Sequence, residues 1–303
     1  MNTAFTTTQR ERLLELGADD AAVDAVFAGV GDRDAAFRAA EKRLVAENRG
    51  KIAALLREKH MPETALVIRD LETWLTDVEG FTKVTTPTII STESLDRMTL
   101  TEDEPLRDQI FYVGKNRCLR PMLAPNLYIV MRELGRITKS SVRIFETGSC
   151  FRRESRGARH LSEFTMLNCV EYGVAYDPDG ADAERTRVDD SADGRTRSDG
   201  AGQMDRLEAL AHAAMRAVGI EDFTLEREPS VVYGETIDIV ADGVELASGS
   251  YGPCALDANW GVFAPWVGIG FGVERTAMVR GGHKTVSRVG GSLAFVDGVP
   301  LNI

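Results

Sequence analysis

The sequence predicts an α+β fold: a helical N-terminal region followed by an antiparallel sheet flanked by helices. Three observations carry this. Apolar residues recur at helical spacing through residues 1–80. Two long β-rich runs, VRIFETGSCFR at 142–152 and FTMLNCVEYGV at 164–174, lie either side of a short polar loop, and TIDIVADGVELASGS at 236–250 turns on Asp242-Gly243. No alternation of strands with helices marks a doubly wound parallel sheet.

Taken in order, Thr8 with Glu11 gives a capping-box pattern ahead of Leu13, Leu14 and Leu16. A second short helical segment is expected around Ala21, Val23, Val26 and Phe27, and a third from about Asp34 to Lys59, closed by Met61-Pro62. Ala65, Leu66, Ile68, Leu71, Trp74 and Leu75 mark a further amphipathic helix ending near Gly80. Each such stripe reads most simply as an ordinary core face. From Phe81 the texture turns to short β-rich runs, FTKV before Thr86-Pro87 and IFYV at 110–113, with helical interludes at 124–138 and 203–218. The expected organisation is a helical region at 1–80 and a catalytic domain at 81–303, packed as one compact unit. Residues 177–202 carry eight acids, four arginines and almost no apolar side chain, and are expected to be a solvated insertion.

Composition narrows the function classes. The 303 residues are 43% hydrophobic and carry a net charge of −11 with only seven lysines. That acidity argues against bulk electrostatic attraction to nucleic acid, so no DNA partner is expected. An acidic, lysine-poor surface stays hydrated at high salt, which points to a salt-loving source, with a GC-rich genome as the alternative. No apolar run approaches a membrane span, no signal peptide is visible at the N-terminus, and Cys118, Cys150, Cys169 and Cys254 form no CxxC pair. A reducing cytoplasmic setting is the expectation.

Two motifs carry chemistry. Cys150-Phe151-Arg152-Arg153-Glu154-Ser155, then His160-Leu161-Ser162-Glu163-Phe164, bracket a hairpin loop. Arg152 and Glu154 fall on one strand face, and a guanidinium suits phosphate because its planar fork donates two parallel hydrogen bonds. A surface ion pair is the plainer reading of a lone RxE. Gly268-Ile269-Gly270-Phe271-Gly272-Val273-Glu274-Arg275 is a glycine-rich strand running into a helix. Its GxGxG spacing, with no acid ending a following strand, sets it apart from a dinucleotide fingerprint.

In this order, the two motifs resemble motifs 2 and 3 of class II aminoacyl-tRNA synthetases, with Thr86-Pro87 as a remnant of motif 1. LRPMLAPNLY at 119–128, HLSEFTMLN at 160–168, VYGETIDI at 232–239 and PWVGIGFGVER at 265–275 resemble the pyrrolysyl-tRNA synthetase family. The N-terminal region is similar to its short form, which lacks a separate tRNA-binding domain. The resemblance implies ATP-dependent activation of pyrrolysine, an Nε-acylated lysine, and its transfer to an amber-decoding tRNA by a cytoplasmic homodimer.

It further implies that Arg152 and Arg275 are catalytic, Arg152 on the α-phosphate and Arg275 against adenine and the γ-phosphate. Glu154, His160 and Leu161 would edge the ATP, Phe164 would stack on adenine, and Glu245 with Ser248 would hold Mg²⁺ and phosphates. Asn168 would donate to the side-chain amide carbonyl of the substrate. Leu123, Leu127, Tyr128, Met131, Val170 and Trp266 would form the apolar pocket, with Gly268 and Ser250 beside it and Tyr233 closing over it. Ser250 is expected to make the floor more polar, Ile269 to trim the pocket, and Cys169 to face away. The rivals are a class II enzyme for another amino acid, such as phenylalanine or phosphoserine, and a catalytically silent binding protein.

Overall fold

In the computed structural model the described residues are 3–102, 104–138, 140–153, 157–174, 201–230 and 232–303. The expected insertion at 177–202 lies outside them save its last two residues, as does Glu154. The chain divides into two units, residues 1–63 with 287–303, and residues 64–286. The C-terminal segment thus joins the N-terminal residues in one unit.

In the first unit, β1 (Thr3–Ala4) leads into α1 (Thr7–Glu15), whose capping box is Thr6 with Gln9 rather than Thr8 with Glu11. Thr6 wins because the helix begins at Thr7 and only the preceding residue holds the extended backbone a cap needs. The expected second helix is split. Asp19 caps α2 (Asp20–Val23), and β2 (Val26–Phe27) then pairs antiparallel with β1. Tertiary pairing overrides helical spacing there, since Phe27 packs on Phe5 at a centroid distance of 4.8 Å. The long α3 (Val30–Arg57) completes a core of Phe5, Leu13, Leu16, Val23 and Leu44, against which the C-terminal Ile303 packs. Arg288 donates to the carbonyls of Leu14 and Glu15, and Arg12 to that of Asn302, so both chain ends belong to one unit.

The second unit opens with α4 (Glu63–Thr73), continued by a π-type turn at Trp74–Val78. Next come β3 (Thr82–Lys83), β4 (Ile89–Ser91), α5 (Thr92–Arg97), α6 (Pro105–Asp108), β5 (Tyr112–Gly114) and β6 (Arg117–Leu119). Then follow α7 (Ala124–Ile137), β7 (Val142–Phe151), β8 (Glu163–Tyr172), α8 (Ala201–Ala217), β9 (Thr224–Ser230), β10 (Gly234–Ala241), β11 (Val244–Gly252), β12 (Trp266–Gly272) and α9 (Val273–Arg280). The main sheet has the order β3-β7-β8-β12-β11-β10-β9. It is antiparallel, as expected, except where β3 pairs parallel with β7.

One sheet face packs on α7, where Leu127, Tyr128, Met131, Ile144, Val170, Trp260 and Trp266 share a core. Pro125 sits in the first turn of α7, where its missing N–H costs nothing. Gly135 ends the inward stripe because a methyl group there would meet the Tyr172 ring at 2.5 Å. The other face is covered by α8, whose Leu207 lies over Gly249. There Arg206 bridges the fully buried Glu171, at 2.9 Å, and Glu79, at 2.7 Å.

Candidate active site

Strand register lays out the site. Asp238, Ser248, Gly270, Asn168 and Glu146 are consecutive partners across β10, β11, β12, β8 and β7. One rung along lie Ser250, Gly268, Val170 and Ile144. Residues two apart share a face, so both rungs look toward α7. Gly268 and Gly270 leave the central strand bare, and over it opens a cavity of about 540 Å³. Its floor is backbone, which explains the glycine spacing as close approach to a ligand.

The cavity gathers Arg152, His160, Leu161, Phe164, Glu245, Ser248 and Arg275, together with Leu127, Tyr128, Met131, Asn168, Val170, Tyr233, Ser250, Trp266 and Gly268. Leu123 is not among its lining residues. It is fully buried in the core at the start of α7, because the helix turns Leu127, Tyr128 and Met131 to the cavity instead. Ile269 is among the residues lining the cavity, but its side chain does not project into it. It lies in register with Cys169 and Gly249, and its side chain packs over Gly249 on the α8 side. Cys169 keeps the expected orientation. Burial pushes its thiol up to about 12, opposed in part by Arg206 of α8.

At one end the groups are charged. The Arg152 guanidinium lies 5.2 Å from the Phe164 ring centroid, and its Nε donates to the Pro121 carbonyl at 2.9 Å. Arg275 pairs with Glu245 at 3.3 Å and donates to the carbonyl oxygens of Glu245 and Arg159. Glu245 reaches this face because β11 bulges there: Ile239 opposes Ala247 but Val240 opposes Glu245, so one residue is passed over. Ser248 Oγ donates to Asp238 Oδ1 at 2.6 Å. Glu274 accepts from the Thr165 N–H at 2.9 Å, and burial raises its carboxyl above the ordinary value. Asp238, Glu274, Arg159, Met122 and Met166 line the cavity without having been singled out in the sequence. Asp238 enters through the register of β10 against β11 and Glu274 from the first turn of α9, and neither placement leaves a mark on local spacing.

The other end is aromatic. Tyr128 stacks on Trp260 at 5.3 Å and meets Trp266 edge-on at 6.0 Å, while Tyr233 meets Trp266 at 5.9 Å. Ser250 Oγ donates to the Glu235 carbonyl at 3.1 Å, so its hydrogen is committed to the sheet. Between the ends stands Asn168. Its Oδ1 is buried with no hydrogen-bond partner, an arrangement that costs free energy unless a ligand or water completes it.

A second polar layer lies beside the cavity on β7. Arg120 and Glu146 form a buried ion pair at 2.7 Å. Glu146 also accepts from the N–H and hydroxyl of Thr86, and Asn126 donates to the Thr86 hydroxyl and the Pro87 carbonyl. This network binds the Thr86-Pro87 step to the sheet and to α7.

Residues 53–177 match the family described as tRNA synthetases class II core domain (F). The O-phosphoserine--tRNA(Cys) ligase of Methanopyrus kandleri is 26% identical over 204 residues, which is 60% of this chain. The chain spans about a third, 32%, of that relative's length. A crystal structure of pyrrolysyl-tRNA synthetase from Desulfitobacterium hafniense superposes with a TM-score of 0.84 at 40% identity, covering 99% of both chains. A second structure from that organism, also a pyrrolysyl-tRNA synthetase, gives 0.82 at 39%, covering 99% of this chain and 96% of the other. Identity at that level, sustained from end to end in both directions, is a family relationship, and the chain belongs to the pyrrolysyl-tRNA synthetase family of class II.

Proposed function

We propose that this protein activates pyrrolysine with ATP to an aminoacyl-adenylate and transfers it to an amber-decoding tRNA. The observation that carries this reading is Asn168, a carboxamide whose buried oxygen has no partner, set between an aromatic pocket and an arginine-bearing one. An acylated lysine presents a secondary amide at the end of an apolar stem, which is the group such a carboxamide pairs with. Phosphoserine fits less well, because the cavity's arginines (Arg152, Arg159 and Arg275) stand at the other end.

The carboxylate of the amino acid is ionised at neutral pH and needs no general base. The protein's work is to align it with the α-phosphate and to neutralise charge. Arg152 is braced by Pro121 and Phe164, which holds its guanidinium at the charged end of the cavity, where it would meet phosphate and carboxylate oxygens with little further entropic cost. Arg275 exchanges its contact with Glu245 for the nucleotide. Glu245 and Ser248, with Asp238 behind Ser248, offer the hard oxygen donors that magnesium takes alongside phosphate. Mg²⁺ bound there supplies neutralisation of the triphosphate. For tRNA, the N-terminal unit is the face we assign, since α3 exposes Arg38, Lys42, Arg49 and Lys51 on an otherwise acidic protein. The working assembly in this reading is a homodimer, checked by sedimentation at several concentrations.

The test is amino-acid-dependent pyrophosphate exchange with ATP and Mg²⁺, at low and high salt, comparing pyrrolysine or a simple acyl-lysine with lysine and phenylalanine. Exchange with the acyl-lysine alone, reduced by Asn168→Ala, supports the reading. Exchange with phenylalanine instead overturns the substrate, and none with any amino acid overturns the enzyme.

A further inference from the structure

The two aromatic walls of the cavity share one buried anchor that is not itself a wall. Asp257, only 1% exposed, sits in the turn after β11. Its Oδ1 accepts from the Tyr128 hydroxyl at 2.7 Å, and its Oδ2 from Trp266 Nε1 at 2.8 Å and the Cys254 N–H at 2.6 Å. Tyr128 comes from α7 and Trp266 from β12, elements of opposite layers. Gly252 leaves the passage open: a methyl group there would overlap Trp266 Nε1 and crowd Asp257 Oδ2. Resting on the functional reading above, we propose that Asp257 is a positioning residue for substrate specificity, fixing Tyr128 and Trp266 and thereby the shape of the acyl-group pocket.

The chemistry of the three contacts supports this. An ionised carboxylate is an acceptor only, and here three donors converge on it. Hydrogen bonds to a charged acceptor are roughly twice as strong as neutral ones, and burial strengthens them further. Both rings spend their sole N–H or O–H on Asp257, so toward the cavity they offer carbon surface alone. Tyr128 is fixed on three sides, by Asp257, by stacking on Trp260 and by the edge of Trp266. Trp266 is in turn the fixed surface that Tyr233 packs against. A pocket that recognises shape discriminates only as well as its walls stay put, and a misplacement of about 1 Å can cost roughly a hundredfold in rate. Asparagine at 257 keeps the size but removes the charge, and its amide nitrogen faces either the Trp266 and Cys254 N–H groups or a Tyr128 hydroxyl that must turn and accept.

The experiment compares wild type with Asp257→Asn, Tyr128→Phe and the double variant in pyrophosphate exchange. Two acyl-lysines are used, one bearing a ring and one a short straight chain. Asp257→Asn is expected to raise the KM for the ring-bearing substrate about tenfold or more, in line with loss of a charged hydrogen bond. The KM for ATP should stay within about twofold, the preference between the two substrates should shrink, and the double variant should fall short of the product of the singles. A parallel change in both KM values, or an unchanged preference, overturns the proposal. The indole ¹⁵N–¹H spectrum gives a readout independent of turnover. The chain has three tryptophans, and only the Trp266 signal should shift strongly in Asp257→Asn. If that variant does not fold, Tyr128→Phe keeps the carboxylate and carries the same KM comparison by itself. If wild type exchanges with no acyl-lysine, the functional reading has failed, and an unmoved Trp266 signal separately refutes the anchor.

Discussion

The two ends of the cavity are held in different ways. At the aromatic end, the polar atoms of Tyr128 and Trp266 are tied to one buried carboxylate and their rings pack on each other. At the charged end, Arg275 leans on a half-exposed Glu245 and on backbone carbonyls at 3.3–3.4 Å. The first arrangement has nothing to exchange with a ligand except contact area. The second has partners it can trade for phosphate oxygens at little cost, because a solvent-exposed pair is worth only about 1 kcal/mol. Shape recognition is thus built on rigid contacts and charge recognition on replaceable ones. Asn168 stands where the two meet, with β8 running from Phe164 beside Arg152 to Val170 beside the tryptophan.

The largest expected effect breaks the charged end. Arg152→Ala should lower the rate of pyrophosphate exchange by roughly 10²–10³, the usual loss when one donor to developing charge is removed. Arg152→Lys should recover only part of it, since an ammonium cannot both contact Pro121 and present a planar fork. Next is the shared support. A methyl group at Gly148 would overlap the Arg120 guanidinium, so Gly148→Ala should break the buried pair with Glu146 and destabilise the fold by about 3–5 kcal/mol. Thermal denaturation measures this directly, and an unchanged midpoint would show that Arg120 has another resting place.

A smaller effect sharpens the comparison from the middle of the cavity. In Gly270→Ala the new methyl would stand 2.9 Å from Asn168 Nδ2 and 3.0 Å from Oδ1. Displacing the carboxamide should weaken amino-acid binding by about tenfold, the scale of one lost hydrogen bond, while ATP binding changes less. Equal losses for both would mean the floor is common to the two substrates.

The mildest prediction concerns pH. Burial lifts the Glu274 carboxyl above 4.5, so the folded state binds more protons than the unfolded one between 4.5 and the raised value. Stability from this group is therefore full below pH 4.5 and declines as pH rises through the folded value. Glu274→Gln, which keeps an acceptor for the Thr165 N–H, should flatten that decline in thermal melts taken from pH 4 to pH 7.

Much of the site was legible in the sequence because its residues sit on strands. Period-two alternation alone puts Asn168 and Val170 on one face and Cys169 on the other, and the structure keeps that division. The GxGxG run reads as close backbone approach, and it is the cavity floor. Leu123, placed in the pocket by the resemblance, is buried at the start of α7 and is not among the cavity's lining residues. Ile269 lines the cavity, while strand parity turns its side chain toward Gly249. At the N-terminus, helical spacing extended through Val26 and Phe27, yet pairing with β1 and contact with Phe5 made them a strand.

What the sequence by itself determined is local. Strand alternation, glycine spacing and the ordered motifs name the family, the face and most of the lining, because each depends on neighbours a few residues apart. What only the tertiary structure decided depends on register between distant segments. The bulge that turns Glu245 to the cavity, the row from Asp238 to Glu146, the pair Arg120–Glu146 and the junction of Tyr128, Trp266 and Asp257 depend on distant partners, the Tyr128–Asp257 hydrogen bond spanning 129 positions. A hydrogen bond at that separation leaves no periodic trace in the chain, and it exists only once the sheet and α7 have closed over it.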